Sequence, residues 1–477
     1  MVAPVIFWFR RDLRLVDNPA LTYAARRGEG HVVPVFVVDP ALMASAGPAR
    51  LAYLRRTLAD LDTSLDGGLV TRGGDPAVVL AEVADETGAD AVVATKDFAP
   101  AGRRRDERVA TALAARGVGL HLVDSPYAVA PGTVTTKAGT PCKVFTPFRR
   151  AWEQVPIPSP VAAPTGVTWV EAPCASVSEL FARASLHPPD YFGDLSNEEP
   201  RFVGRTGEAG AHATLEEFLA RVDAYADTRD LPGVVGTSRL SAHLRFGTIH
   251  PRQVLAAVAS TSTGAEVFRS EICWREFYAD VMFHQPESTW RVLQPAMEHL
   301  RVDRDAAAVD RFRRWARGET GYPLVDAGMR QLLEEGWMHN RVRMVCASFL
   351  VKHLHLDWRW GAKWFMWRLI DGDVASNQHG WQWTAGTGTD ASPFHRIFNP
   401  TLQAERFDPE GAYVRRYVAP LRDVAAPQCL QPGGGSGLLA PVGYVAPMID
   451  AATERDEALA RFAEARHLAA ASSAGER

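Results

Sequence analysis

The 477-residue chain is poor in cysteine and has no long apolar run. Its five cysteines are widely spaced and none belongs to a CxxC pair. This spacing argues against a disulfide framework, a zinc site or an iron–sulfur cluster, and favours buried, reduced thiols. No stretch of about 18 uncharged apolar residues occurs, and the start has neither a basic leader nor a small-residue cleavage site. We therefore expect a soluble, cytoplasmic protein.

The common nucleotide-binding fingerprints are missing as well. Neither GxGxxG nor GxxxxGK[ST] occurs in the chain. The segment Gly73-Gly74-Asp75-Pro76 is typical of a strand-to-helix turn, with Asp75 as N-cap and Pro76 at the first helical position. We interpret this turn as a simple connector in preference to a dinucleotide site.

The first 125 residues have the pattern of a parallel sheet. Short apolar runs alternate with helix-length stretches at 49–64 and 103–116; the runs are VIFWF, HVVPVFVVD, AVVAT and VGLHLV. Strands covered by helices on both faces are apolar throughout and need crossover helices between them. The pattern therefore predicts an α/β, Rossmann-like domain with a parallel sheet over residues 1–130.

The composition changes twice after this domain. Residues 131–200 are proline-rich, which predicts an interdomain linker that crosses the surface. From 201 to 477 helical periodicity dominates, as in SEICWREFYADVMFH, and predicts an all-α domain. A Gly-rich stretch near the end, QPGGGSGLLAPVG, is interpreted as a loop.

Tryptophan and charge are unevenly distributed over the helical half. Ten of the thirteen tryptophans lie between Trp274 and Trp383, among arginines and carboxylates. Leu, Ile and Phe fill a core without an indole N–H to satisfy, so this crowding favours stacking or redox chemistry, with core packing as the alternative. The net charge is −4, but thirteen Lys or Arg stand against eight Asp or Glu between 301 and 370. That excess fits a phosphate-facing patch or a solvated helical face.

Two segments of the helical half combine residue types that suit a planar, charged ligand. The first, Gly236-Thr237-Ser238-Arg239-Leu240-Ser241, offers hydroxyls, an arginine and backbone N–H groups at a helix start. It fits a pyrophosphate grip and a capping cluster equally well. In the second, spacings of three and four place Glu271, Trp274, Arg275 and Tyr278 on adjacent edges of one helix. That set either stacks and hydrogen-bonds a base or forms a buried ion pair beside a core indole.

Two further segments carry amide, arginine and carboxylate groups. The stretch Gly336–Met344 offers Asn and Arg donors suited to a phosphate or a planar ring, and its methionine either fills a core gap or contacts a ligand. The stretch Asp371–Trp383 pairs two aspartates around a glycine but lacks the closing bidentate Glu of a hard-cation loop. The HLHLD sequence at 353–357 is interpreted as structural histidines. We predict no metal site.

Taken together, these segments resemble the DNA photolyase and cryptochrome family over nearly the whole chain. The similar stretches, in order, include WFRRDLRLVDNPAL, KVFTPFRRAW, GTSRLSAHLRFG, EICWREFY, TGYPLVDAGMRQLLEEGWMHNRVRM, DGDVASNQHGWQW and RIFNPTLQAERFDPEGAYVRRY. Within the family the chain looks closest to the class I enzymes that repair cyclobutane pyrimidine dimers. The resemblance implies an antenna-binding α/β domain, a helical FAD- and DNA-binding domain, and repair driven by an electron from excited reduced FAD.

The resemblance also implies roles for individual residues. Asn377 would face flavin N5, and Trp381, Trp358 and Trp315 would carry electrons from the surface inward to the flavin. Glu271 would hydrogen-bond the dimer and help to hold its radical anion. The implied FAD-binding residues are Tyr225, Thr237, Ser238, Arg239, Leu240, Ser241, Arg275, Arg343, Asp371, Gly372, Asp373 and Asn377. The implied lesion- and DNA-contacting residues are Arg229, Glu271, Trp274, Asn340, Arg341, Met344, Trp383, Arg396 and Gln403.

Specific positions separate the functions found within the family. Relatives that repair the (6-4) photoproduct carry histidines at the positions of Asn340 and Met344. Plant-type cryptochromes carry Asp at Asn377 and Tyr at Trp383. The chain has neither set, which favours repair of cyclobutane dimers over signalling. A bacterial cryptochrome with repair-like residues is the alternative, and a light-independent flavin oxidoreductase is a third class.

The antenna pigment is the least specific part of the resemblance. The stretches around Phe36 and Asp39 and at KDFAPAGRRRDERV look more like relatives that bind 8-hydroxy-5-deazaflavin than like those that bind methenyltetrahydrofolate, and an empty antenna site is a further alternative. Two departures from the family pattern are Phe268, where relatives often carry Trp, and the Gly-rich stretch. The expected partner is damaged DNA, with no membrane contact, and the expected state is a monomer.

Overall fold

The computed structural model describes residues 2–182, 186–196, 200–201, 204–259, 261–390, 396–432 and 443–475. Most of the predicted Gly-rich loop lies outside the described residues. The chain forms two compact units. The first comprises Met1–His187, Val203–Ala226 and Ser238–Pro286, and the second comprises Pro188–Phe202, Asp227–Thr237 and Glu287–Arg477. These units do not follow the predicted domain boundaries, because helical segments beyond residue 201 group with the sheet.

A parallel sheet forms the centre of the first unit, in the strand order β3-β2-β1-β4-β5, with β6 beside β2. Its strands are β1 (Val5–Phe9), β2 (His31–Val38), β3 (Val70–Gly73), β4 (Ala91–Thr95), β5 (Gly119–Val123) and β6 (Thr168–Trp169). Every residue of β1 and β4 is buried, as expected for strands covered on both faces. The α/β class predicted from the apolar runs is confirmed.

A proline inside β2 is accommodated by the way its neighbours pair. Val35 to Val38 pair with β3, and His31 and Val32 pair with β6. Pro34 falls in the gap between these two partners, so the N–H that proline lacks is not needed on that side. The sequence HVVPVFVV can therefore form a central strand despite its proline.

Helices connect the strands and then take over the chain. Many of them begin with proline at the first helical position, where no backbone N–H is needed. Up to residue 284 they are α1 (Pro19–Arg27), α2 (Pro40–Ala44), α3 (Pro48–Ser64), α4 (Pro76–Thr87), α5 (Pro100–Ala114), α6 (Phe145–Trp152), α7 (Val177–Ala182), α8 (Gly207–Leu219), α9 (Tyr225–Thr228), α10 (Ser241–Phe246), α11 (Pro251–Ala257) and α12 (Thr263–His284). The predicted cap before α4 is confirmed, since the Asp75 carboxylate accepts from the Ala77 N–H at 3.0 Å.

The rest of the chain is helical, as predicted. Its helices are α13 (Ala306–Arg317), α14 (Pro323–Glu335), α15 (Asn340–Lys352), α16 (Trp358–Arg368), α17 (Val374–Ala385), α18 (Pro400–Phe407), α19 (Ala412–Tyr417) and α20 (Ala451–Gly475). Short 3₁₀ helices occupy Asp190–Ser196, Val222–Ala224, Pro286–Thr289, Pro295–His299 and Ala419–Leu421. Among the described helices, none is long and apolar enough to cross a membrane.

The predicted linker over 131–200 is not wholly irregular, since it contains α6, β6 and α7. α6 packs on α12 within the first unit through buried Phe148, whose ring centre lies 5.2 Å from that of Phe277. The apolar positions of KVFTPFRRAW recur at helical spacing, so one face of this short helix is buried.

A buried carboxylate fixes α12 to the last residue of α6 and to the segment that follows β5. Glu276 is 1% exposed and accepts hydrogen bonds from the N–H groups of Ala128 (2.5 Å) and Val129 (3.0 Å) and from the indole of Trp152 (2.7 Å). Burial raises the pKa of the Glu276 carboxyl, and the donated hydrogen bonds oppose that rise. Three donors therefore depend on one buried side chain.

We predict that Glu276→Ala destabilises the first unit, because it leaves these three donors without their acceptor, two of them in buried positions. The free energy of unfolding should fall by roughly 3 kcal/mol. Urea unfolding followed by circular dichroism measures the change. The control is Glu153→Ala, which removes an exposed pair with Arg149 and should cost less than about 0.5 kcal/mol. Equal effects of the two variants would contradict this role of Glu276.

Candidate functional site

The predicted site residues are distributed over both units, and each unit is described by itself. Tyr225, Ser238 to Ser241, Glu271, Trp274 and Arg275 belong to the first unit, whereas Thr237 and the predicted residues from Asn340 onward belong to the second. In the first unit Tyr225 is buried, with its ring 5.3 Å from that of Phe268 and 5.6 Å from that of Phe218. Phe268, where relatives often carry Trp, is thus part of an aromatic cluster.

The segment before α10 has an unusual backbone. Arg239 adopts φ 56°, a left-handed conformation that is uncommon for residues other than glycine. The Leu240 N–H donates to Ser238 Oγ at 3.3 Å. α10 then begins at Ser241 with Leu240 as N-cap, and within the described part of the chain no side chain caps it. The choice between a pyrophosphate grip and a capping cluster therefore stays a prediction for this segment.

α12 carries the predicted stacking set of the first unit. Trp274 is half-buried, and its ring lies 5.4 Å from that of Tyr278, one turn further along the helix. Arg275 donates to the carbonyls of Pro126 (3.3 Å) and Leu244 (3.2 Å). These two hydrogen bonds hold the Arg275 guanidinium against the backbone, and the role of the Glu271–Tyr278 set stays a prediction.

In the second unit, α15 presents four predicted residues in its first turns, Asn340, Arg341, Arg343 and Met344. Asn340 is exposed, and Met344 follows one turn later and is half-buried. The start of the helix is fixed by His339, whose ring accepts from the Arg341 N–H at 3.2 Å. Residues four apart lie on one face of a helix, so Asn340 and Met344 share a face.

The predicted phosphate contact Arg341 already has a partner. Its guanidinium donates to both carboxylate oxygens of Asp230, at 2.8 and 3.3 Å, and lies 4.5 Å from the ring centre of Phe407. Sequence reasoning missed Asp230, because no local pattern links positions 111 residues apart. A phosphate at Arg341 would have to share the guanidinium with this carboxylate.

The four-residue stretch Asp371–Val374 is held by a charged hydrogen bond and a helix cap. Arg343 donates to Asp371 Oδ2 and to the Met338 carbonyl, both at 2.8 Å. The other oxygen, Asp371 Oδ1, is buried and has no hydrogen-bond partner among the described residues. Asp373 is the N-cap of α17 and accepts from the Ser376 N–H at 3.1 Å. Asp371 thus retains a buried acceptor, whereas Asp373 is used in part by the fold.

Asn377 is oriented by two hydrogen bonds from its amide nitrogen. Nδ2 donates to the Ala362 carbonyl at 3.1 Å and to Gln378 Oε1 at 2.8 Å. Both amide hydrogens are therefore used within the second unit. The amide oxygen of Asn377 is the group left to accept a hydrogen bond from a ligand.

The predicted electron-carrying tryptophans are all buried. Trp381 is 3% exposed and lies against Gly361, where an added Cβ would come within 2.1 Å of the indole. The ring centres of Trp381 and Trp315 are 6.2 Å apart, and Phe365 contacts both rings. Gly361 was missed by sequence reasoning, although a glycine inside a tryptophan-rich helix is a signal for close packing.

None of these three tryptophans is exposed, so the predicted path of electrons from the surface inward stays a prediction. Trp315 has no exposed surface, and its indole N–H donates to the Cys346 carbonyl at 3.1 Å. Its place in the last turn of α13, one turn after the buried Phe312 on the apolar face of the helix, explains the burial. Trp358, at the first position of α16, is 4% exposed.

The remaining predicted DNA contacts lie on separate elements of the second unit. Arg396 is exposed, and its carbonyl accepts from the buried Lys352 ammonium at 2.9 Å. Gln403 is half-buried on α18, Trp383 is half-buried on α17, and Arg229 is half-buried in α9's following turn. Burial lowers the pKa of the Lys352 ammonium to about 8. The roles of Arg396, Gln403, Trp383 and Arg229 in DNA contact stay predictions.

Both predicted antenna residues have structural roles in the first unit. Phe36 lies in β2 and is 8% exposed, and the Asp39 carboxylate caps α2 by accepting from the Ala41 N–H at 2.9 Å. Neither side chain favours a deazaflavin over a folate or an empty site, so the antenna pigment stays a prediction. Among the described residues, no group of three or more His, Cys, Asp or Glu is arranged to hold a metal ion.

Comparisons with known proteins match both parts of the chain. Residues 5–165 match the family model for DNA photolyase, and residues 268–464 match that for the FAD binding domain of DNA photolyase. A protein of Agrobacterium fabrum named deoxyribodipyrimidine photo-lyase is 40% identical, covering 97% of this chain and 98% of that protein. A bacterial class III photolyase from Agrobacterium tumefaciens is similar in structure, with a TM-score of 0.89 at 38% identity over 98% of each chain.

A solved cryptochrome is similar as well. The structure of a Synechocystis cryptochrome matches with a TM-score of 0.83 at 26% identity, covering 96% of this chain and 98% of that one. Because one similar structure is a class III photolyase and another is a cryptochrome, the predicted class I assignment stays a prediction.

We predict that Arg343→Ala leaves the Asp371 charge buried without its cation. The free energy of unfolding should fall by about 2 kcal/mol, less than for a fully buried pair because a quarter of the Arg343 side chain is exposed. The double variant Arg343→Met with Asp371→Leu should regain most of this stability but not the ability to retain a flavin. Urea unfolding and the visible flavin absorbance of the purified protein measure the two effects. Full flavin retention by the double variant would remove this pair from the cofactor site.

Proposed function

Because the chain belongs to the DNA photolyase family, we propose that it repairs cyclobutane pyrimidine dimers in DNA, using light and bound reduced FAD. The family acts on damaged DNA, and the chain is an enzyme of the photo-lyase kind with the family's FAD-binding domain. The observation that carries the proposed substrate is the 40% identity, over nearly the full length of both chains, with a relative named deoxyribodipyrimidine photo-lyase.

The residues of the second unit suit FAD chemically. Asp371 Oδ1 is a buried acceptor that lacks a partner among the described residues, and a flavin offers ring N–H and ribityl O–H donors to such a group. Both hydrogen bonds of the Asn377 side chain are made by its amide nitrogen. Its amide oxygen is therefore suited to accept a hydrogen bond from the N5–H of a reduced flavin ring. Arg343 holds Asp371 in place through its hydrogen bond. When bound, reduced FAD would supply an excited electron to the dimer and take it back after the ring opens.

The first unit would contribute further cofactor contacts. On the family resemblance, we assign the segment Ser238–Ser241, in which Arg239 has a left-handed backbone, to the pyrophosphate of FAD. Arg275 holds the neighbouring backbone by donating to the Leu244 carbonyl in α10. We assign Tyr225, Ser238 and Ser241 to the same binding surface on the family resemblance.

On the family resemblance, we assign aromatic, amide and carboxylate side chains to lesion recognition. Trp274 on α12 and Trp383 on α17 offer flat apolar surfaces for the extruded bases, and Glu271 offers a carboxylate to hydrogen-bond the dimer. Asn340 and Met344, on one face of α15, complete the proposed set. A fused dimer stacks and pairs poorly, so extruding it from the duplex costs less than extruding normal bases. This set would select damage by shape, without sequence specificity.

Binding of the DNA backbone would depend on Arg229, Arg341, Arg396 and Gln403. Of these, Arg341 is held against Asp230, which reduces its net charge toward a phosphate but fixes its orientation. Phosphate contacts of this kind position the strand and make affinity depend on salt.

The similarity to the Synechocystis cryptochrome supports one alternative, a blue-light receptor without repair activity. The two functions are distinguished by an oligonucleotide that carries a single thymine dimer. Chemically reduced, FAD-loaded protein is incubated with it in blue light and in darkness, and restored thymines are counted by chromatography. We expect restoration in light only. No restoration in light by reduced protein would contradict the proposal, and equal restoration in darkness would indicate a light-independent reaction. A (6-4) photoproduct oligonucleotide, which should remain unrepaired, tests the lesion type.

We predict that Trp381→Phe blocks the photoreduction of oxidised flavin but leaves repair by chemically reduced protein intact. The indole would relay electrons to the flavin, whereas repair itself starts from flavin that is already reduced. Flavin absorbance under illumination measures the first property, and dimer repair after dithionite reduction measures the second. The control is Trp290→Phe, which changes an indole that is 54% exposed and should alter neither property. Loss of repair by reduced, flavin-loaded Trp381→Phe would contradict this division of roles.

A further inference from the structure

One face of the Trp274 indole is covered by another aromatic ring. The ring centres of Phe145 and Trp274 are 3.6 Å apart, and their planes differ by 8°. This is a near-parallel stack at van der Waals distance. Phe145 comes from the first turn of α6, in the stretch between the sheet and the helical region, and is 8% exposed. No base can stack on the indole face that Phe145 occupies.

The position of Phe145 is fixed by contacts at both ends of α6. Trp152 lies seven residues further on, two helical turns away, and donates its indole N–H to Glu276 at 2.7 Å. Between them Phe148 packs against Phe277, and the Phe145 ring itself meets Phe277 edge-on at 5.8 Å. α6 is therefore held on the helix that carries Trp274. This leaves the stacked ring little freedom to move away from the indole.

We propose that Phe145 is a positioning residue for lesion recognition, which holds the Trp274 indole in one orientation and leaves only its opposite face and edges for an extruded pyrimidine. The inference rests on the proposed function, in which Trp274 contacts the dimer. Tyr278 lies beside the same indole at 5.4 Å, with its ring tilted by 41°, and limits rotation on a second side. A ring held in its binding orientation loses less side-chain freedom when the lesion arrives.

The role of Phe145 is tested with two substitutions that remove its flat ring but keep apolar volume, Phe145→Leu and Phe145→Met. Phe145→Tyr, which keeps the ring, is the conservative variant. Phe148→Leu is the matched control, because it removes a buried ring of the same helix that packs on Phe277. Each FAD-loaded variant is assayed for its dissociation constants from dimer-containing and undamaged single strands, and for repair yield per photon at saturating dimer.

We expect Phe145→Leu and Phe145→Met to lower the preference for the dimer by roughly threefold to tenfold, the range expected for an aromatic pair. Repair yield at saturation should stay unchanged, since the bound dimer still receives its electron. Phe145→Tyr should keep the preference of the unchanged protein, and so should Phe148→Leu. If Phe145→Leu and Phe145→Met matched Phe148→Leu in preference, the proposal would be overturned.

A double-variant comparison separates this inference from the proposed function. Trp274→Ala is measured alone and together with Phe145→Leu. If Phe145 acts through Trp274, its substitution has no further effect on dimer preference once the indole is gone. An equal loss in both backgrounds would overturn the positioning role alone. An unchanged preference in Trp274→Ala would overturn the proposed contact of Trp274 with the lesion, and the role of Phe145 with it, while light-dependent repair would still stand.

Discussion

The buried carboxylate of Glu276 is the contact on which the functional face of the first unit depends. It accepts hydrogen bonds from two backbone N–H groups and the Trp152 indole, and the Glu276 side chain itself is 1% exposed. Burying a carboxylate is costly unless such donors surround it, so the segments that supply them are fixed as firmly as α12 itself. Trp274 and Arg275 precede Glu276 directly along α12. The orientation of the proposed binding residues therefore follows from a contact that touches no ligand.

In the second unit, a comparable set of contacts holds the residues around the start of α17. Asp373 caps the helix, Arg343 holds Asp371, and the absence of a side chain at Gly361 admits the Trp381 indole. These contacts place an unpartnered acceptor, an oriented amide and a buried indole within one short stretch of chain. A ligand that supplies donors completes the hydrogen bonding of the stretch, which gives cofactor binding a direct effect on the stability of the fold.

The sequence was sufficient for features that depend on local patterns and on family resemblance. The apolar runs gave the strands, Asp75 and Pro76 gave the start of α4, and the long motifs gave the family. Features that depend on distant pairs were missed, because spacing along the chain carries no information on them. Asp230 against Arg341 and Phe145 against Trp274 are of this kind. The complete burial of Trp315 was not predicted either, since neither its neighbours in sequence nor the resemblance indicates it.

The central claim is that light drives repair with no net change in the redox state of the flavin. It is tested most directly by counting the dimers split per reduced flavin during continuous illumination without oxygen, while the flavin absorbance is followed. The account predicts that each protein molecule repairs many dimers and that the absorbance of the reduced flavin is the same at the end as at the start. Oxidation of one flavin for each dimer split would contradict it, because the electron would then be consumed instead of returned.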